Sequence, residues 1–354
     1  MIEHKEKLFT FLLALMLACQ LISCKRDGIT ADSSPPLPSP SGNNLSPVRK
    51  VTAEDQWRQT LLSRLNSEPG TVYCSVGDRT LEIRNIDGKA HSIRGTWPAD
   101  TIESHLALKP DGTELWCVPP YWEFGKGILK SPVTVMDPKN GTIKDRINCP
   151  GAAMTAFTPD SKKAYLSKIS SSTVDIYDGK THEKKGTIEV GRHPKSLSMA
   201  FDGRRLYVGH SAAVTASKVT TSQGIKLPKV EVGDRYIAVV DTTTDNVAEK
   251  IPVKGIPVGL ALKPDGSLLY VSVNNVVHKP YTALTKGPIT VIDTTRSIVI
   301  KTIIYPGTHP ISDLAFTPDG KKVYGICGGL EDSAFVFTTE KHVLKKTIAL
   351  DIGG

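Results

Sequence analysis

The feature that most constrains the fold is a short turn motif that recurs five times between residues 110 and 324. In each copy a Pro-Asp-Gly-like tripeptide is followed, four residues after its last position, by an aromatic residue that opens an apolar segment. The copies are Pro110-Asp111-Gly112 with Trp116, Pro159-Asp160-Ser161 with Tyr165, Phe201-Asp202-Gly203 with Tyr207, Pro264-Asp265-Gly266 with Tyr270, and Pro318-Asp319-Gly320 with Tyr324. Asp-Gly turns between apolar alternating segments are typical of β-hairpins, so each copy predicts two antiparallel strands.

Two further strands are predicted in each copy. A third strand ends in Asp, as at residues 289–293, and a fourth, as at residues 301–304, often leads into a Gly-x-x-Pro-like link. A degenerate earlier copy covers residues 73–93. Repeated four-stranded antiparallel units predict an all-β fold, a β-propeller with six detected units and six or seven blades. One such sheet cannot bury its faces alone, whereas a ring of sheets can.

The repeat also resembles a known family. Residues 269–274, Leu-Tyr-Val-Ser-Val-Asn, followed by Ile-Thr-Val-Ile-Asp at 289–293, resemble the YVTN repeat of YncE-like and surface-layer-type propellers. The resemblance covers most of residues 71–354, which we assign to the propeller, and is strongest in the last two units. The Tyr-Val-Thr-Asn tetrad is never intact, and three units carry insertions. The family usually has seven blades, so a blade built partly from the segment before residue 71 is an open alternative.

The N-terminal segment is typical of an export signal. Two lysines precede an apolar run over residues 8–22, which is shorter than the roughly 20 apolar residues that a membrane-spanning helix needs. The tetrapeptide Leu-Ile-Ser-Cys that ends at Cys24 resembles the lipobox of bacterial lipoproteins. That resemblance implies removal of residues 1–23 and acylation of Cys24, which anchors the chain because several acyl chains give lasting attachment. An ordinary secretory signal cut nearby is the alternative.

The lipoprotein prediction also indicates the membrane location of the chain and the nature of residues 24–70. No Asp directly follows Cys24, which by the resemblance to enteric lipoproteins favours the outer membrane over the inner membrane. Residues 24–50 are rich in Pro and Ser and are predicted to be an extended tether. Residues 51–70 form either a short amphipathic helix or the first inner strand of the propeller, and both alternatives are open.

One face of the propeller is predicted to carry three long insertions. The Pro-Asp-Gly turns join strands one and two, so the loops between strands two and three lie on the opposite face. Those loops are the insertions at residues 119–131, 209–235 and 274–287, and the links with His193 and His309 share their face. The first insertion carries Tyr121, Trp122 and Phe124 next to a lysine. Exposed aromatic side chains next to charge suit a carbohydrate, peptide or protein surface, although these rings could instead pack the loop onto its own blade.

A second candidate site is the central channel. The residues six positions before each turn Asp are His105, Met154, Ser196, Gly259 and Asp313. They could line the channel and, with His193 and His309 nearby, hold a metal or a polar ligand. Ordinary channel-lining residues are the alternative. No tight metal-ligand spacing occurs, so we predict no metal.

The sequence favours binding over catalysis. It has no G-x-S-x-G, Walker or Rossmann motif, and its repeated Asp residues recur with the structural repeat. We therefore predict no catalytic residues and no cofactor, and expect a monomeric, lipid-anchored binding or scaffolding module for a protein, glycan or matrix partner. A propeller enzyme, a lactonase-like hydrolase or a cofactor-linked dehydrogenase with its site at the channel, is the alternative hypothesis.

Charge and cysteine content complete the prediction. The 44 Lys and Arg and 36 Asp and Glu residues give a net charge of +8. Because the basic pairs fall in the turns of successive blades, they indicate solvated turns and no nucleic-acid partner. Cys74, Cys117, Cys149 and Cys327 are predicted to be buried thiols, with a Cys117–Cys149 disulfide as the alternative.

Overall fold

A computed structural model describes residues 71–77, 81–87, 92–98, 105–119, 122–123, 127–128, 131–220, 226–232, 234–277, 283–307, 311–317, 319–327 and 333–349. The signal at residues 1–23 with its Cys24 lipidation site, the tether at 24–50 and the helix or strand at 51–70 lie outside these ranges. The regular secondary structure within them is all β-strand. No helix in these ranges has the length and apolar character needed to span a membrane.

The described residues form 27 strands, numbered β1 to β27 in chain order. They are β1 (Thr71–Gly77), β2 (Leu81–Asp87), β3 (Ser92–Pro98), β4 (His105–Leu108), β5 (Leu115–Val118), β6 (Trp122–Glu123), β7 (Gly127–Ile128), β8 (Val133–Met136), β9 (Ile143–Ile147), β10 (Ala152–Phe157), β11 (Lys163–Lys168), β12 (Thr173–Asp178), β13 (Lys184–Glu189), β14 (Pro194–Met199), β15 (Arg205–His210), β16 (Ala212–Thr220), β17 (Lys226–Val232), β18 (Tyr236–Asp241), β19 (Asn246–Pro252), β20 (Ile256–Leu262), β21 (Leu268–Val277), β22 (Ala283–Asp293), β23 (Ile298–Ile303), β24 (Ile311–Phe316), β25 (Lys322–Cys327), β26 (Ser333–Thr338) and β27 (Val343–Ala349).

The strands pair into successive antiparallel sheets, which confirms the predicted β-propeller. Five sheets have four strands: blade two (β4-β5-β8-β9), blade three (β10 to β13), blade four (β14-β15-β18-β19), blade five (β20 to β23) and blade six (β24 to β27). Blade one shows three strands, β1-β2-β3. Strand β1 contacts β4, the first strand of blade two, just as β5, the second strand of blade two, contacts β10, the first strand of blade three. Strands β1, β2 and β3 therefore occupy the second, third and fourth strand positions of blade one. The inner strands β4, β10, β14, β20 and β24 are neighbours in that order.

The Pro-Asp-Gly-like motifs are the turns between the first and second strands, as predicted. The residue at the Gly position has a left-handed φ of 62° to 76° in all five copies, which are Gly112, Ser161, Gly203, Gly266 and Gly320. Its backbone N–H bonds to the carbonyl oxygen three residues earlier. The turn Asp accepts the backbone N–H two residues ahead at 2.9 to 3.1 Å in each copy. These local bonds explain why the motif specifies the hairpin.

The hydrophobic core consists of layers between neighbouring blades. Between blades four and five, for example, Tyr207 and Ile237 cluster with Leu260 and Val271. The second and third strands of a blade are covered on both faces, so β11 and β12 each contain four consecutive buried residues. Burial of each such large side chain contributes roughly 1.5–3 kcal/mol. The propeller is therefore stabilised by contacts that one blade cannot make alone.

Polar contacts at the turns between the third and fourth strands also join neighbouring blades. In four of these turns a residue other than glycine adopts a left-handed φ of 52° to 58°; these residues are His182, Asp245, Ser297 and His342. Each reaches back to the preceding blade. Asp245 accepts hydrogen bonds from the Tyr165 hydroxyl at 2.7 Å and Lys163 Nζ at 2.6 Å, and His342 Nδ1 lies 2.6 Å from the Tyr270 hydroxyl. Tyr165 and Tyr270, the aromatic residues of two copies of the repeat, thus make interblade contacts in addition to their packing.

Two cysteines are buried in the core: Cys149 lies in the layer between blades two and three, and Cys117 packs with Leu115 and Met136 of blade two. Cys117 and Cys149 are buried thiols, as predicted, and the alternative disulfide between them is not formed. Burial raises the pKa of the Cys149 thiol, so it stays protonated and unreactive. The side chains of Cys74 and Cys327 are outside the described set.

Candidate binding face

The insertions lie on the face opposite the Pro-Asp-Gly turns because they connect second to third strands. The first and second insertions form the two-stranded hairpins β6-β7 and β16-β17. Their extents differ from those predicted. His210 belongs to β15 and is completely buried, so the second insertion starts after it rather than at residue 209. The third, predicted at 274–287, is largely an extension of β21 and β22, in which Asn274 pairs with Lys286.

The first two insertions meet each other. Strands β7 and β16 approach to within 8 Å between Cα atoms, although they belong to blades two and four. Blade three lies between those blades, so the hairpins come together across it. We call the loop at residues 169–173 and the link at residues 190–193 of this region the blade-three saddle. Tyr121 and Phe124 fall outside the described residues, and of Trp122 only the backbone, in β6, is described.

The two segments of the saddle are bonded together. The backbone N–H groups of Val190 and Gly191 both donate to the Ser172 carbonyl, at 2.9 and 3.3 Å. His193 Nδ1 lies 2.9 Å from the Ile169 carbonyl, which can only accept, so Nδ1 carries the proton. The loop presents three consecutive serines: Ser170 is exposed, and the next two are half-buried. The saddle therefore offers hydroxyl groups on a fixed backbone.

Arg192 is the charged residue at the centre of the link. Its backbone N–H donates to Asp234 Oδ2 at 2.8 Å, and its Nε donates to Asp234 Oδ1 at 3.1 Å. Its carbonyl oxygen accepts a hydrogen bond from His210 Nδ1 at 2.9 Å. The side chain is 63% exposed, and its Nη atoms donate to none of the residues that the structure describes. The residue is thus fixed at three points while the end of its guanidinium faces solvent.

The groups that fix Arg192 are themselves buried and oriented. Because His210 donates from Nδ1 to a carbonyl, its Nε2 carries the lone pair, and Nε2 has no hydrogen-bond partner among the described residues. Burial lowers the pKa of His210 to about 4, so the ring is neutral near pH 7. Tyr236 packs edge-to-face on this ring at 5.0 Å. Its hydroxyl shares one proton between two acceptors, the Val190 carbonyl at 3.0 Å and Asp234 Oδ2 at 3.1 Å.

The electrostatics keep Asp234 ionised. Burial alone would raise the pKa of Asp234, but hydrogen bonds from Arg192 and Tyr236 outweigh it and lower that pKa. Lys250 Nζ lies 4.7 Å from the centre of the Tyr236 ring, a cation–π contact that closes the cluster on its outer side. We refer to His210, Asp234 and Tyr236 as the Arg192 clamp.

Gly191 is required for the clamp to form. Its φ is 118°, and a Cβ there would lie 2.1 Å from the Tyr236 hydroxyl oxygen and 2.7 Å from Asp234 Oδ2. Any other residue would separate Arg192 from its partners. In the Gly-x-x-Pro-like link, the glycine thus allows the backbone both to turn and to lie close to the side chains of Tyr236 and Asp234.

The candidate channel residues mostly bond to the adjacent inner strand. His105 Nε2 donates to the Thr155 carbonyl at 3.1 Å, Met154 Sδ accepts the Leu197 N–H at 3.2 Å, and Ser196 Oγ donates to the Val258 carbonyl. Gly259 lies at a register shift of β20. Burial lowers the pKa of His105 to about 4. These contacts join successive blades around the axis.

Asp313 is placed differently from the other channel candidates. Its side chain is exposed, yet the surrounding protein displaces solvating water and raises its pKa, with Lys195 acting in the opposite direction. Its Oδ1 accepts the Leu314 N–H at 2.8 Å. No group of three or more His, Cys, Asp or Glu side chains in the described ranges is arranged to hold a metal. His309 lies outside those ranges.

The sequence did not indicate the Arg192 clamp. Its members are separated by the second insertion, so no regular spacing relates them. The available signal was that His210 and Asp234 stand at the two ends of that insertion, where antiparallel pairing brings both ends together.

Comparisons with known proteins agree with this architecture. No family model matches the chain. Antigen Lp49 from Leptospira interrogans is 30% identical over 215 residues, which cover 57% of this chain and 42% of Lp49. YncE from Salmonella typhimurium is 30% identical over 178 residues, which cover 49% of this chain and 47% of YncE. The chain thus spans less than half the length of these curated relatives. Hydrazine synthase from Kuenenia stuttgartiensis has the same fold, with a TM-score of 0.58, 16% identity and coverage of 73% of this chain and 71% of that chain.

Proposed function

Because this chain is a relative of the YncE-like YVTN-repeat β-propellers, we propose that it is an envelope lipoprotein that binds a protein, glycan or matrix partner through its insertion-bearing face. In this proposal Cys24 anchors the mature chain, and residues 24–50 hold the propeller away from the bilayer. The relative Lp49 is an antigen, which supports an envelope location. The domain would act by presenting a surface.

One observation carries the proposal: the hairpins from blades two and four meet across blade three. Loops held on a rigid scaffold are the usual carriers of binding residues. The hairpins share this face with the serine loop, whose backbone is bonded to residues 190 and 191, and with an oriented arginine. Among the described residues the opposite face has only short turns: the Pro-Asp-Gly turns, whose Asp side chains are used in local hydrogen bonds, and the turns between third and fourth strands, which bond to the preceding blade.

The proposal is tested by shortening the second hairpin. Ala213 and Glu231 pair across β16 and β17, so residues 214–230 can be replaced by Asn-Gly without changing the base of the hairpin. A Cys24→Ser background removes the anchor, so that sedimentation with isolated envelopes of the source cells reports binding by the propeller alone. Arg204→Glu, at an exposed turn on the opposite face, is the matched control.

The expected result is that the unanchored protein and its Arg204→Glu variant sediment with envelopes, whereas the shortened variant stays in solution. Equal sedimentation of the shortened variant would contradict the proposal. The anchor is tested separately, because the Cys24→Ser change should move the full-length protein from the membrane fraction after high-salt washing to the soluble fraction.

A further inference from the structure

We infer that Arg192 is a receptor for the carboxylate of an acidic glycan, and that the Arg192 clamp holds it in position. The inference rests on the proposed function, since it names the chemistry of a partner bound at the same face. It is carried by the three bonds that fix Arg192 and by the two nitrogen atoms that those bonds leave unused.

The arginine is oriented before any ligand arrives. The N–H, the Nε and the carbonyl of Arg192 are all bonded to buried or half-buried groups, so the side chain loses less conformational entropy on binding than a free surface arginine would. A guanidinium held at Nε still presents its two Nη groups, whose N–H bonds form a planar fork. A fork of this kind matches the two oxygen atoms of a carboxylate.

The charge at the site favours a group with a single negative charge. Asp234 lies 3.1 Å from Arg192 Nε, so the pair together is close to neutral. Lys250 Nζ, 4.7 Å from the centre of the Tyr236 ring, is the other cation of the cluster, so Arg192, Lys250 and Asp234 together carry one net positive charge, which is too little to balance the two charges of a phosphate. A carboxylate ligand requires only the two Nη groups of Arg192, and Asp234 orients these groups through its bond to Nε.

The surroundings of Arg192 favour a sugar. The adjacent loop presents Ser170, Ser171 and Ser172, and its backbone is bonded directly to residues 190 and 191. Ser171 Oγ is already within 2.7 Å of Thr173 Oγ1, while Ser170 is exposed. Hydroxyl groups beside a carboxylate receptor suit a sugar ring that carries both a carboxylate and hydroxyls, as uronic acids do. An acidic peptide is the competing ligand, and the test below distinguishes the two.

His210 acts as a positioning residue. Its Nδ1–H bond to the Arg192 carbonyl fixes the direction of the link, and its complete burial prevents water from replacing that bond. Asparagine can place an amide N–H near the Nδ1 position, whereas glutamine places its amide near Nε2. His210→Asn should therefore bind a carboxylate ligand more tightly than His210→Gln does.

The test uses the full mature chain with Cys24→Ser and measures binding by calorimetry. The probes are polygalacturonate, its fully methyl-esterified form, dextran and poly-L-glutamate. We expect binding of polygalacturonate, at least tenfold weaker binding of the ester, and at least tenfold weaker binding of polygalacturonate by Arg192→Gln. Arg204→Gln on the opposite face is the matched control, and urea unfolding verifies that each variant is folded.

Several outcomes would overturn the inference. They are the absence of binding to polygalacturonate, equal binding of the ester, unchanged affinity in folded Arg192→Gln, and tighter binding of poly-L-glutamate, which would indicate a peptide partner. The proposed function fails separately, because it depends on the envelope sedimentation of the hairpin-shortened variant. If that variant stays in solution while Arg192→Gln keeps its affinity, the face binds a partner but the carboxylate assignment is wrong.

Discussion

Burial of neutral His210 should make the stability of the protein depend on pH, and His210→Asn should reduce that dependence. The pKa of His210 is lowered from 6.5 to about 4 in the folded protein. Between these two values the unfolded chain binds a proton that the folded protein does not, so the free energy of unfolding falls as the pH falls through this window. At about 1.4 kcal/mol per pH unit, the loss attributable to His210 is about 3 kcal/mol at pH 4 and about 2.5 kcal/mol at pH 4.5.

The measurement is urea unfolding of both proteins at pH 7.5 and pH 4.5. His210→Asn keeps a donor for the Arg192 carbonyl but has no group that titrates. Losses from carboxylates are common to both proteins and cancel in the comparison. We expect the wild-type protein to lose about 2.5 kcal/mol more than the variant over this interval. An equal loss in both proteins would show that His210 is not a buried neutral histidine, and the account of the clamp would be wrong.

Three further predictions concern the contacts between and within blades. His105→Gln keeps an amide donor for the Thr155 carbonyl but removes a buried neutral histidine that the unfolded chain would protonate. Between pH 7.5 and 4.5 we therefore expect the variant to lose less free energy of unfolding, measured by urea denaturation, than the wild-type protein loses. An equal loss in the two proteins would contradict this. Tyr270→Phe removes the hydroxyl bonded to His342 and should lower the free energy of unfolding by about 1 kcal/mol, measured by urea denaturation, whereas no change would indicate that this interblade contact is not formed. Gly191→Ala should cost about 3 kcal/mol because its Cβ would lie 2.1 Å from a tyrosine hydroxyl. Gly266→Ala, with no atom within 4 Å of its Cβ, should cost only about 1 kcal/mol for its left-handed φ, and equal costs would argue against the close approach at Gly191.

The regular part of the fold could be predicted from the sequence because its signals are local. The Asp residue of each Pro-Asp-Gly-like motif bonds to a backbone N–H two residues away, so the turn chemistry is complete within a few residues. This is why Ser161 can replace glycine in one copy and still adopt a φ of 62°. The repeat of these turns was sufficient to predict four-stranded blades.

The contacts between blades were less predictable. His182, Asp245 and His342 stand four residues after the last residue of a third strand, in a left-handed conformation that the sequence did not indicate. Their partners lie 37 to 82 positions away; the bond from Tyr165 to Asp245 spans 80 positions and the bond from Tyr270 to His342 spans 72. The sequence placed the aromatic residues at the start of apolar strands and did not indicate these polar partners.

The site was predicted at the level of the face but not of the residues. The connection order alone placed the insertions and the link with His193 on one face. The meeting of β7 with β16 depends on the lengths and directions of two insertions, which no repeat constrains. Arg192 stood within a recognised link, but its importance follows from burial of His210 and from the position of Asp234, which only the folded chain brings together.

Site-specific photo-crosslinking in living cells tests whether the partner binds at the blade-three saddle. A photoreactive amino acid is placed at exposed Ser170 in the saddle or at exposed Arg204 on the opposite face. We expect a crosslinked envelope adduct from position 170 and none from position 204. An adduct from position 204 with none from position 170 would contradict it.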